Sequence, residues 1–396
     1  PPQTNIRLSP FSSMTKGLYV HIPFCRTRCH YCHFVRLEDP SPALRSRYLE
    51  ALLKEILHAR EIYGALEFET LYLGGGTPSI LRPDELREIL ETLTANFKIS
   101  EKAEISCEWN PGDGDPEMLS KPRGIRINRI SLGVQSFDDN LLRTLGRRHS
   151  VRDTIETLEK IRGAGIANIS LDLMLRIPGQ TAEIFRDSLS QCIALKVSQV
   201  SLYDLEVHDD TEFGKMLGRG ELSLPPEASH GEMYSDAIDS LAAAGYDHYE
   251  ISNFAIPGFA SRHNLIYWRN QEYLGLGPGS FSYLNGVRYQ FARDVPRYLE
   301  KCEAGIWTND VEDLLSPRDR ATETFVTALR LKEGVRENIV SHLSPELPGR
   351  ISELCKEGLL EISAGNLRLT RRGQFLCEDV FRFLLRKTQG AADPAG

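Results

Sequence analysis

Residues 17–32 read GLYVHIPFCRTRCHYC. The first seven are rich in β formers and stop at Pro23, which reads as a strand running into a loop. That loop carries Cys25, Cys29 and Cys32 at C-x3-C-x2-C spacing, with His30 inside it and His33 just after. Three cysteines so close together read as a metal-binding loop. Two kinds of centre suit them. A structural zinc would complete its four ligands with His21, His30 or His33. An iron–sulfur cube normally takes four thiolates, so three would leave one iron open to another ligand. The loop by itself leaves both standing.

Outward from this loop, the first strand becomes one of six. FETLYLGGGTP, AEISCEWNP, RINRISLGVQSF, NISLDLMLRIPGQ and SQVSLYDLEV all read as strands. Between them lie segments with apolar residues at helical spacing, such as Leu44, Tyr48, Leu49, Leu52, Leu53, Ile56 and Leu57 in the first. Such alternation predicts an α/β fold, a parallel sheet covered by helices and curled into a partial (β/α)6 barrel. Ligands bind where the carboxyl ends of parallel strands converge. The cysteines follow strand one. Gly75, Gly76 and Thr77 follow strand two, Glu108 ends strand three, Gln135 ends strand four, and Asp172 lies late in strand five. These residues are expected to meet at one mouth.

The pattern divides the chain into an extension over 1–16, the barrel over 17–210, an α+β extension over 211–310 and a tail over 311–396. Within the third part, residues 261–283 (SRHNLIYWRNQEYLGLGPGSFSY) are aromatic and glycine-rich and read as more loop than helix. In the tail, LLEISAGNLRLT reads as two β runs around a Gly-Asn turn, with a helix after it. That order resembles a small winged-helix module.

Composition bounds the function. Of 396 residues, 41% are hydrophobic and 26% charged, which suits a globular chain with a substantial core. A net charge of −8 argues against a chain built mainly to hold nucleic acid. PPQTNIRLSPFSS lacks the apolar centre of a signal peptide, and Met14 suits a natural start. No apolar run reaches the roughly 18 residues of a membrane span, although peripheral membrane contact stays open. The expected location is the cytoplasm, where thiols stay reduced. The other five cysteines (Cys107, Cys192, Cys302, Cys355, Cys377) are scattered.

The words around the loop are more specific. YVHIPFC, LYLGGGTPS, EWNPGD, ISLGVQSF, LDLMLRIPGQT and YEISNFA…SRHNLIYW, in this order, together with Tyr31 before the last cysteine, resemble the radical S-adenosylmethionine (SAM) superfamily. They are most similar to its HemW/HemN group, and within that to the heme-chaperone branch. The resemblance covers about residues 17–283, with the tail in agreement. It implies a 4Fe-4S cluster on Cys25, Cys29 and Cys32, with SAM chelating the open iron. One electron from such a cluster cleaves SAM to a 5′-deoxyadenosyl radical, while the protein supplies position and exclusion of water. By the same resemblance, Tyr19, Tyr31, Gly75, Gly76, Thr77, Glu108, Gln135, Arg147 and Asp172 are expected at SAM. Taken alone, Glu108 would be a surface or capping residue and Arg147 part of a solvated basic face. Asp172, flanked by apolar residues, needs a partner, either ligand or Arg147.

Two departures matter. HemN-type decarboxylases carry a further cysteine two residues after the third, where this chain has Phe34. The other is Phe281, where relatives often show histidine. The branch word H-N-x-x-Y-W falls on His263, Asn264, Tyr267 and Trp268, which the resemblance makes the heme candidates. The residues by themselves equally describe aromatic packing around a hydrogen-bonded histidine at a domain junction. His33 reads as an ordinary loop residue. The expected function is a heme chaperone that passes heme, as cargo, to apo-hemoproteins, respiratory ones among them, and takes electrons for its cluster from a donor. Oxygen-independent coproporphyrinogen III dehydrogenation and HemN-like methyl transfer are the alternatives, and Phe34 counts against the first.

Overall fold

The computed structural model describes residues 16–115, 119, 127–343 and 345–386. Most of the N-terminal extension, with Met14, lies outside the described residues, as do residues 387–396 of the tail.

Six parallel strands come first: β1 (Gly17–Ile22), β2 (Glu67–Gly75), β3 (Lys98–Trp109), β4 (Arg129–Gln135), β5 (Asn168–Leu175) and β6 (Gln199–Asp204). Each hydrogen-bonds to the next in parallel register. The helices that return the chain are α1 (Pro42–Tyr63), α2 (Pro83–Asn96), α3 (Asp139–Thr144) with α4 (Val151–Gly163), and α5 (Ala182–Ala194). Local chemistry sets their starts. Ser41, Ser150 and Thr181 each accept a first-turn backbone N–H, and Asp153 completes a reciprocal cap with Ser150. Strands buried on both faces read as near-continuous apolar runs, as in the wholly buried RISLGV of β4.

The sheet does not stop at six strands. After α6 (Glu212–Gly218) and α7 (Glu227–Ala243), β7 (Asp247–Glu250) and β8 (Asn253–Ala255) add antiparallel beyond β6. The segment 261–283 is not mainly loop. It forms helix α8 (Arg262–Trp268), capped by Ser261, then β9 (Tyr273–Leu276), which docks parallel on the free side of β1, and β10 (Phe281–Leu284). With β11 (Val287–Gln290) and β12 (Val311–Leu314) the order is β12-β11-β10-β9-β1-β2-β3-β4-β5-β6-β8-β7. The aromatic spacing of a seven-residue helix hid its period. Helix α9 (Val295–Ala304) packs on α1, where the buried Glu55 carboxylate accepts the Gly277 N–H at 2.7 Å and the Tyr298 hydroxyl at 2.8 Å. That clamp ties the loop after β9 to the barrel helix.

The tail has its own apolar cluster, including Phe325, Leu329, Leu354, Leu367 and Val380. Its sheet pairs Leu360–Ser363 and Val335–Arg336 with Asn366–Leu369. The hairpin turns at Ala364–Gly365, both left-handed, one step earlier than a Gly-Asn turn. Among the described residues no helix is long and apolar enough to cross a membrane.

Candidate functional site

The carboxyl ends of β1–β6 enclose a cavity of about 690 Å³. Cys25, Cys29, Cys32 and Tyr31 line it. So do Gly75, Gly76, Thr77, Glu108, Gln135, Arg147 and Asp172. Six strand ends therefore gather residues from across nearly 150 positions.

The cysteine loop is pinned from several sides. The backbone N–H of His30 donates to Leu145 O, its ring Nδ1 bonds Thr144 O at 2.9 Å, and Phe213 N donates to His30 O. At the other end, His21 Nε2 bonds Val35 O at 2.8 Å while its Nδ1 meets the Tyr19 hydroxyl at 3.1 Å. Burial lowers the His21 pKa to about 4, so the ring is neutral. Both nitrogens of His21 are thus engaged, one by Tyr19 and one by the backbone, while His30 has one nitrogen on the backbone. Among the described residues, no three His, Cys, Asp or Glu side chains close on one metal-sized point. A mononuclear zinc needs such closure, whereas a cube spreads its thiolates wider.

The three sulfurs are equipped to carry charge. Each receives a donor: Thr77 Oγ1 reaches Cys25 at 3.6 Å, Arg147 Nη1 reaches Cys29 at 3.5 Å, and Arg36 Nη1 reaches Cys32 at 3.7 Å. Burial pushes the Cys25 thiol up to about 11 even against the Thr77 hydrogen bond, and raises that of Cys32 against the pull of Arg36 and Arg147. Asn110 couples two of the donors. Its Nδ2 donates to Thr77 Oγ1 at 3.0 Å, and its Oδ1 accepts from Arg147 Nη2 at 2.5 Å. The sequence reading missed Asn110, although it falls directly after β3 in EWNP, where a strand end signals the mouth. This donor set fits a thiolate-bound cluster.

The N–H groups of the glycine loop are already engaged within the protein. Gly75 N–H is taken by Glu108 Oε2 at 2.9 Å and Gly76 N–H by Ile22 O at 2.8 Å. The glycines are needed because backbone and rings crowd in. Gly75 has φ +118°, and a Cβ there would sit 2.7 Å from the His21 ring; one at Gly76 would sit 2.8 Å from Phe24 O.

Two carboxylates face the cavity with raised pKa values. Burial lifts Glu108 to about 7, against the pull of the Gly75 N–H; Asp172 adds a like charge, and the Tyr72 hydroxyl hydrogen-bonds Oε1 at 3.1 Å. Burial lifts Asp172 to about 6. Asp172 is hydrogen-bonded by the hydroxyls of Ser131, at 3.1 Å, and Ser201, and not by Arg147, which also donates to Gly133 O at 2.7 Å. Gln135 ends β4 at φ +68°, a left-handed conformation that a non-glycine residue adopts under local constraint.

Five candidates lie elsewhere. Tyr19 stands behind the wall, its ring 6.1 Å from that of Tyr72. His263 is 1% exposed. Its Nδ1 bonds Thr70 Oγ1 at 2.7 Å and its Nε2 the Tyr267 hydroxyl at 2.9 Å, and burial holds its pKa near 3. Neither ring nitrogen is open to a metal in this arrangement. Asn264 sits in the first turn of α8, its N–H bound to Ser261 Oγ, and Arg330 lies 4.3 Å over the Trp268 ring. This is the hydrogen-bonded, aromatic packing that the residues alone also described.

Comparison with known proteins places these features. The Radical SAM superfamily profile matches residues 19–192, and the HemN C-terminal domain matches residues 315–376. The chain is 36% identical over 373 residues to the heme chaperone HemW of Lactococcus lactis, covering 93% of this chain and 97% of that one. It is 39% identical over 331 residues to the HemW of Synechocystis, covering 81% and 79%. Coproporphyrinogen III oxidase (HemN) from Escherichia coli, a radical SAM enzyme, superposes with a TM-score of 0.81 at 21% identity, over 95% of this chain and 91% of that one. At that identity the likeness speaks for the fold alone.

Proposed function

The chain belongs to the HemW heme-chaperone family of the radical SAM superfamily, and from that premise we propose that it binds a 4Fe-4S cluster and SAM at the barrel mouth and carries heme to apo-hemoproteins. The observation that carries the reading is the three-sulfur, three-donor arrangement opening on the same cavity as Glu108, Gln135, Arg147 and Asp172. Cys25, Cys29 and Cys32 would hold the cluster. When bound, the cluster supplies one electron to SAM, and an electron donor must replace it. Arg147, Arg36 and Thr77 offset the negative charge on the thiolates. Carbonyl oxygens at Gly75–Gly76 would accept from the methionyl ammonium, since their N–H groups are committed. Glu108 and Asp172 would accept hydrogen bonds from SAM hydroxyl or amino groups, losing their own protons as a cationic ligand enters. Tyr31 and Gln135 would close the pocket. Tyr19 supports it from behind through His21. For His263, ligation of heme iron would require its bonds to Thr70 and Tyr267 to open, whereas Asn264, Tyr267 and Trp268 are partly exposed on α8.

The test is anaerobic reconstitution with iron and sulfide, followed by EPR. A cluster signal that changes when SAM is added, and that is lost in Cys25→Ala, is the expected result. Zinc at the loop, or an unchanged signal in Cys25→Ala, overturns the reading. Incubation with SAM and coproporphyrinogen III should yield no decarboxylated product; its appearance would make the chain an enzyme of the HemN kind.

A further inference from the structure

The C-terminal tail closes on helix α8, which carries the HNxxYW word. The tail helix Pro317–Ala328 packs on α8, and three side-chain contacts gather at the C-terminal end of α8. Thr324 Oγ1 accepts from Asn270 Nδ2 at 3.1 Å, Glu333 accepts from Arg269 at 3.4 Å, and the Arg330 guanidinium lies 4.3 Å over the Trp268 ring. The backbone around Arg330 is fixed. Its carbonyl accepts the Ile251 N–H, and Leu331 forms an antiparallel bridge with Glu250. Its charge is poorly matched. Glu250 Oε2 stands 3.6 Å from Arg330 Nη2 with no hydrogen bond, while Oε1 takes the Ser252 N–H and the Asn253 amide. Burial raises the pKa of Glu250, which weakens it further as a counter-ion. Arg330 Nη2 otherwise reaches only the Ser252 hydroxyl, at 3.5 Å. Arg330 Nε and Trp268 Nε1 are buried and, among the described residues, have no hydrogen-bond partner. Buried polar groups are almost always paired, so two orphan donors beside an under-neutralised cation mark a place that an acceptor completes.

We propose that Arg330 and Trp268 form the subsite that takes a carboxylate of heme, so that the cargo site is shared between α8 and the tail; this rests on the heme-carrying reading above and adds a residue to it. Asn264 and Trp268 stand one turn apart on α8, and both are partly exposed. Trp268 offers an aromatic surface to a flat macrocycle. The guanidinium is a planar fork that matches a carboxylate, and 19% of the Arg330 side chain stays open to solvent. Neighbouring arginines are better matched, since Arg269 and Arg288 pair with Glu333 and Glu323 at 3.4 and 2.8 Å. A small inorganic anion would use the charge and leave the aromatic surface bare. Heme combines a flat apolar ring with two carboxylates at one edge, and so uses both.

The experiment titrates the full chain with hemin and, in parallel, with hemin dimethyl ester, whose carboxylates are capped, following the Soret band. Wild type should bind hemin roughly tenfold more tightly than the ester. Arg330→Gln should weaken hemin by about that factor and the ester by less than about threefold. Arg330→Lys keeps the charge but loses the fork, and should fall between. Lys332→Gln removes an exposed positive charge two residues away and should change neither ligand. Circular dichroism checks the fold; where Arg330→Gln does not fold, Trp268→Phe, which loses only the indole N–H and part of the ring, carries the same comparison. Equal weakening of hemin and ester in a folded variant would mean that Arg330 only packs on α8, and overturns the subsite. So does equal binding of the two ligands by wild type, or a loss in Lys332→Gln as large as in Arg330→Gln. In each of these cases heme carriage stands. Failure of wild type to bind either ligand overturns both.

Discussion

Replacing Gly75 with alanine tests whether the glycine loop is demanded by packing. Two penalties follow from the structure. At φ +118° an L side chain is held in a sparsely populated region, at about 1–3 kcal/mol. The new Cβ would also meet three atoms of the His21 ring at 2.7–2.9 Å. That ring cannot swing away freely, since Tyr19 and Val35 hold both of its nitrogens. Overpacking of this kind costs about 1–3 kcal/mol more, so the sum is about 2–6 kcal/mol. Urea unfolding of the reduced apoprotein, followed by circular dichroism, measures it. Gly163→Ala is the control: no atom lies within 4 Å of its Cβ, and the change should stay within about 1 kcal/mol. If His21 is the obstacle, combining Gly75→Ala with His21→Ala should recover about 1–3 kcal/mol relative to additivity. Because His21 tethers Val35 at the exit of the cysteine loop, Gly75→Ala should also retain less iron after reconstitution. A Gly75→Ala protein as stable as Gly163→Ala would refute the reasoning, and with it the claim that close packing selects these glycines.

Two further outcomes are expected. Glu55 keeps its proton in the folded state up to about pH 7, because burial raises it from an unfolded value of about 4.3. Its contribution is therefore complete below about pH 4.3 and lost as pH rises through 7, so its share of the fall in stability between pH 5 and pH 8 should be about 3 kcal/mol. Glu108 and Asp172, also raised by burial, add to the same fall, so denaturant unfolding at both ends should show that Glu55→Gln lessens the slope by about that share without abolishing it; an unchanged slope would refute the assignment. In Arg36→Ala, the loss of the N–H donor to Cys32 should move the cluster midpoint to a more negative potential in an EPR-monitored redox titration. No movement would mean that Arg36 serves only Phe34 O, which it also holds at 2.8 Å.

What could be read from the sequence was local or periodic. The C-x3-C-x2-C spacing fits within one loop, and the strand ends declare themselves by the switch from β formers to glycine, asparagine or carboxylate. Those signals fixed the mouth and most of its lining. Contacts between distant segments carried no such signal. The surroundings of His263 depend on Thr70, 193 positions away, and the tilted ring contact of His33 with His208 also joins distant segments. Asp172 was legible as a carboxylate in need of a partner, but Ser131, one strand over, could not be told from Arg147. Helix α8 was too short for its period to show, although Ser261 stood at its start as a cap. The acceptor for the Gly75 N–H is likewise a side chain 33 positions later, which no local pattern announces.

The HNxxYW word belongs to the floor of the barrel, on the side of the strands opposite the cysteines. At the floor, Glu104 on β3 accepts the N–H groups of Arg262 and His263, both at 3.0 Å, and stands 3.5 Å from the Ser261 hydroxyl. His263 then bonds Thr70 on β2, and a Cβ on Gly17 of β1 would meet its ring at 3.2 Å. Helix α8 thus locks β1, β2 and β3 together from below, and a satisfied network of this kind makes the alignment rigid. The same three strands carry the cysteines, the glycine loop and Glu108 at their other ends. Displacing α8 would therefore disturb the cofactor end through the strands, without either nitrogen of His263 touching a ligand.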